Sequence, residues 1–93
     1  MADKSQSVTT IDTGTINARR YQVILFNDET HGMAEVAIQI FKAIHCDENE
    51  VIRIMMEAHV TGRASVITAG LERCELVESI LAEIRLGTKI EEV

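Results

Sequence analysis

The chain has 93 residues, 46% of them apolar and 3% aromatic, with a formal net charge of −6 and only 9 lysines and arginines scattered along it. That length suits one domain, and the absence of any basic stripe, together with so few aromatics, excludes nucleic acid as a partner. The start "MADKSQ" lacks the apolar stretch of a signal peptide, and no apolar run reaches the about 18 residues of a membrane span.

A soluble, cytoplasmic protein without membrane attachment is therefore expected. Residues 1–19 are rich in Ser, Thr, Asp and Gly and show no hydrophobic period. They read as a flexible tail, leaving residues 20–93 for the folded core. Tyr21 to Phe26, "YQVILF", has the bulky, β-branched character of a buried strand. From Met33 onward, Met33, Val36, Ala37, Ile40, Phe41 and Ile44 keep the spacing of one buried helix face. Asp47 is placed to cap a second helix, with Glu50 at its third position and Val51, Ile54, Met55 and Ala58 on its apolar side. Gly62 suits a left-handed exit from that helix.

"RASVIT" then reads as a second strand, and Thr68 is positioned to cap a third helix burying Val77, Ile80, Leu81 and Ile84. Gly87 marks a stop, and "LGTKIEEV" alternates as a last short strand. The order strand, helix, helix, strand, helix, strand predicts an α+β domain with its helices on one face of a small sheet. Cys46 and Cys74 make neither a metal pair nor a disulfide framework and are expected as buried free thiols.

The sequence "FNDETHGM" between the first strand and the first helix carries the chemistry. Asn27, Asp28 and Glu29 stand in a row at the mouth of a helix. Spacing alone favours capping of backbone N–H groups there. The alternative is a ring of acceptors around an ammonium ion, which has three N–H bonds to satisfy. His59 lies on the flank of the second helix, where a histidine is most simply a packed, hydrogen-bonded residue, although its neutral ring can accept a hydrogen bond. Met33, Met55 and Met56 are core fillers by default, or else the adaptable wall of an apolar hole. His31, His45, Cys46 and His59 offer no i, i+4 or C-x-x-C pair, so no metal, other cofactor or catalytic Cys–His couple is expected.

The runs "YQVILFNDETHGMAEV" and "VIRIMMEAHVTGRA" together resemble the ClpS family, adaptors of the ATP-dependent Clp protease. That family carries Y-x-V-x-L-x-N-D-D, then a methionine and a hydrophobic helix, then M-x-x-x-H-x-x-G-x-A. Here the matching residues are Tyr21, Val23, Leu25, Asn27, Asp28 and Met33, followed by Met55, His59, Gly62 and Ala64. The resemblance implies a three-stranded antiparallel sheet packed against three helices. It also implies a non-enzymatic adaptor that binds proteins beginning with a bulky hydrophobe (Leu, Phe, Tyr or Trp) and delivers them to a Clp-family AAA+ unfoldase, ClpA- or ClpC-like. On this resemblance Asn27 and His59 accept from the substrate ammonium, Asp28 contributes directly or through water, and Glu29 meets the first peptide groups. His31, Met33, Met55, Ala58 and Leu86 form the pocket wall, and the tail serves delivery.

Several residues depart from the family pattern. Glu29 stands where Asp is usual, His31 and Gly32 replace a common Thr-Pro, Ala58 is smaller than usual, and "GRASVITA" is shortened. The shortened "GRASVITA" and the altered "ETHG" loop suit an alternative: a ClpS-like interaction domain that docks on a partner without reading free N-termini.

Overall fold

The computed structural model describes residues 19–93. The expected tail, residues 1–19, falls outside the described residues except for Arg19, whose guanidinium lies 3.3 Å from Glu92. Strand β1 (Tyr21–Phe26) is followed by helices α1 (Met33–Ile44) and α2 (Glu48–Thr61), strand β2 (Arg63–Ala69), helix α3 (Leu71–Leu81), a 3-10 turn (Ala82–Ile84) and strand β3 (Thr88–Glu92). This is the element order and α+β class expected. The three strands form one antiparallel sheet in the order β2-β1-β3.

Alternation along β1 sends Val23 and Leu25 to the helix-covered face. They join Ala64 and Val66 of β2, Ile40 and Ala43 of α1, Val51, Ile54 and Ala58 of α2, and Cys74, Val77 and Leu81 of α3 in one continuous core. Val66 has no partner in the ladder, because Val23 pairs with Ile67 and Ile24 with Ser65, leaving a bulge between. On the opposite face Arg63 and Glu91 pair at 2.9 Å, and the Arg63 guanidinium lies 5.8 Å from the Phe26 ring centre.

Helix α2 begins as expected, with the Asp47 carboxylate accepting from the Glu50 N–H at 2.8 Å. It ends on Gly62 at φ 95, a backbone state that side chains disfavour. Three local expectations are corrected. Thr68 does not cap α3, because β2 continues through it to Ala69 and Gly70 takes the cap position without a side-chain bond. The stop after α3 is made by Arg85 in the left-handed region, two residues before Gly87. The buried face of α1 is rotated from the apolar stripe. Phe41 is exposed, whereas Gln39 is buried and donates from Nε2 to the Ile80 carbonyl (2.6 Å) and Glu83 (2.9 Å). A buried amide with both protons satisfied costs little, and this one ties α1 to the end of α3. Cys46 and Cys74 are both free, the first half-buried and the second buried.

Candidate functional site

The final residues of β1 are held from both sides. The Phe26 N–H donates to the Gly87 carbonyl and the Asn27 N–H to the Gly62 carbonyl, both at 3.0 Å. The second bond fixes Asn27 beside the end of α2, one turn beyond Ala58 and His59. Between this rung and the first turn of α1 opens a cavity of about 420 Å³. That size falls within the roughly 300–1,000 Å³ of small-ligand sites.

The cavity brings together Asn27, Asp28, Glu29, His31, Met33, Met55, Ala58 and His59. Leu86 is not among them, a correction to its expected place on the wall. It is buried in the core at the entry to β3, where its N–H approaches the Leu81 carbonyl at 3.4 Å. Leu25, Phe26 and Val36 line the cavity too and were not expected there, and Met56 joins them as the alternative to its core reading allowed. Val36 could have been found from its position one turn after Met33. Phe26 carries no such signal, because a strand-terminal aromatic is ordinary core by pattern.

The surface of the cavity divides by chemistry. Leu25 and Ala58 are buried and form an apolar floor, while Met33 stands exposed at the rim. Asn27 donates from Nδ2 to Glu29 at 3.0 Å. An amide whose N–H₂ is so engaged turns its carbonyl oxygen free as an acceptor. His59 is exposed on the same rim.

Asp28 has a different local task. Its carboxylate accepts from the Thr30 hydroxyl (2.8 Å), the Thr30 N–H (3.2 Å), the His31 N–H (3.1 Å) and the His31 ring through Nδ1. It therefore builds the loop and does not cap α1, whose N-cap is Gly32 with no side-chain bond. Burial pushes the Asp28 carboxyl up, but the hydrogen bonds from Thr30 and His31 outweigh it and hold the group below the usual carboxylate range. Among the described residues no group of three or more His, Cys, Asp or Glu side chains is arranged to hold a metal ion. No helix among them is long and apolar enough to cross a membrane.

Residues 17–85 match the model of the family described as ATP-dependent Clp protease adaptor protein ClpS. The chain is 33% identical over 75 residues to the ATP-dependent Clp protease adapter protein ClpS of Synechococcus elongatus, covering 80% of this chain and 79% of that one. It is also 33% identical over 61 residues to the human E3 ubiquitin-protein ligase UBR2, covering 66% of this chain but only 4% of that far longer protein. In three dimensions it resembles Agrobacterium tumefaciens ClpS2 bound to L-phenylalaninamide, with a TM-score of 0.77 and 22% identity, covering 83% of this chain and all of the other.

Proposed function

Since the chain belongs to the ClpS family, we propose that it is a non-enzymatic adaptor whose cavity captures the first residue of a protein beginning with Leu, Phe, Tyr or Trp. The captured protein then passes to a Clp-family AAA+ unfoldase of the ClpA or ClpC type. The observation that carries this reading is the pairing, in one cavity, of an apolar floor (Leu25, Val36, Met55, Ala58) with a rim holding Asn27, Glu29 and His59. A free N-terminus has that same composition, an ammonium beside a side chain.

The Asn27 carbonyl oxygen and a ring nitrogen of neutral His59 accept from the ammonium, and the Glu29 carboxylate, which already accepts from Asn27, has further lone pairs to meet charge and peptide N–H. Asp28 acts indirectly, by shaping the loop that carries its neighbours. The phenylalaninamide bound by the Agrobacterium relative has this chemistry of ring, amine and amide. Burying a Leu or Phe side chain contributes about 1.5–3 kcal/mol, and each hydrogen bond to a charged group about 1.5–3 kcal/mol. After association costs, micromolar binding near −8 kcal/mol is within reach.

Fluorescence anisotropy with a labelled Phe-starting peptide tests the reading. Asn27→Ala and His59→Ala should each weaken binding roughly 10- to 100-fold. Unchanged affinity in both variants, together with undiminished binding of an N-acetylated peptide, would instead favour an interaction domain that ignores free N-termini.

A further inference from the structure

We infer that His31 biases the cavity toward tyrosine as the first residue of the substrate. The inference rests on the function proposed above and adds a specificity determinant to it. His31 lines the cavity, and its side chain is only 20% exposed. Both its backbone N–H, at 3.1 Å, and its ring Nδ1 are held by one carboxylate oxygen of Asp28, with the Thr30 hydroxyl 3.2 Å from the same ring nitrogen. The ring is thus fixed before any ligand arrives.

With Nδ1 committed to Asp28, the polar atom left on the ring is Nε2. It makes no hydrogen bond among the described residues. A hydrocarbon side chain filling the cavity would strip water from Nε2 and give nothing back, an exchange that costs free energy. Leucine and phenylalanine both do this. A tyrosine hydroxyl both donates and accepts, so it satisfies Nε2 whether the ring is neutral and accepting or protonated and donating. An indole N–H only donates and therefore matches just one of those states. A site built around a hydrogen bond discriminates more strongly against the partner lacking it than an apolar pocket discriminates by size.

Two peptides differing only in Tyr or Phe at the first position test this by anisotropy against wild type and His31→Leu. The ratio of Phe to Tyr dissociation constants should be about tenfold larger in wild type than in the variant. His31→Gln, which keeps a polar end, should fall between. An equal ratio in wild type and His31→Leu overturns the inference.

If the His31→Leu loop does not fold, wild type decides by nitrogen NMR. The His31 Nε2 resonance should show the shift of a new hydrogen bond with tyrosinamide and only that of lost water with phenylalaninamide, and equal responses to the two overturn the inference. Binding of free but not acetylated N-termini with no Tyr preference removes only this inference. Loss of the acetylation difference removes the underlying function as well.

Discussion

Asp28 and its neighbours determine what the mouth of the cavity can do. In sequence, Asn27-Asp28-Glu29 is compatible with helix capping and with an ammonium cage, because both need oxygen acceptors in a strand-to-helix turn. The fold separates them by chain path: Asp28 turns back onto Thr30 and His31, while Asn27 is held outward by its rung to Gly62. The side chains on either side of Asp28 meet each other at 3.0 Å and both line the cavity. Since the folded Asp28 carboxyl lies below its ordinary value of 3.8, its ionised form stabilises the native state. That contribution is complete above the unfolded value and disappears as pH falls through the lower, folded one. Denaturant unfolding of wild type and Asp28→Asn should therefore show a stability gap at neutral pH that narrows below pH about 3.8. A gap that persists undiminished at the acid end would contradict the loop-building role of the charge.

At the level of elements, periodicity and turn chemistry carried most of the information. The strand β1, the buried positions Val51, Ile54 and Ala58 of α2, the Asp47 cap and the Gly62 exit are all local signals that the fold keeps. The failures have different causes. Arg85 and His45 occupy left-handed positions that a glycine rule cannot anticipate. Gln39 looks like a surface residue until the Ile80 carbonyl on another helix supplies its partner. Leu86 was placed on the wall by the family resemblance alone, and the fold buries it in the core instead.

Gly62 joins two of these levels, since its positive φ ends α2 and its carbonyl holds Asn27. A Cβ there meets no neighbour within 4 Å, so steric crowding is not the obstacle. Gly62→Ala should still cost about 1–2 kcal/mol through backbone strain. The same variant should weaken peptide binding by displacing Asn27. Denaturant melts showing full wild-type stability would refute the backbone argument.

Across the whole molecule, the sheet and three helices share one core, and the cavity opens where that core ends, between the last rung of β1 and the facing turns of α1 and α2. The floor is therefore continuous with the core, while the rim residues lie at its edge. This division explains why the architecture was legible from pattern and the rim was not. Core positions repeat with the period of their element, whereas Asn27, His31 and His59 occur once each and acquire meaning only through proximity. Their roles came from the family resemblance, and their meeting in space came from the fold.

The claim that this cavity recognises a charged chain start is tested most directly by isothermal titration with phenylalaninamide and with its deaminated analogue, phenylpropanamide. The two share ring and amide and differ only in the amine. Phenylalaninamide should bind about 100-fold more tightly, because several hydrogen bonds to a charged group are lost with the amine. Equal affinities for the two compounds would contradict the claim.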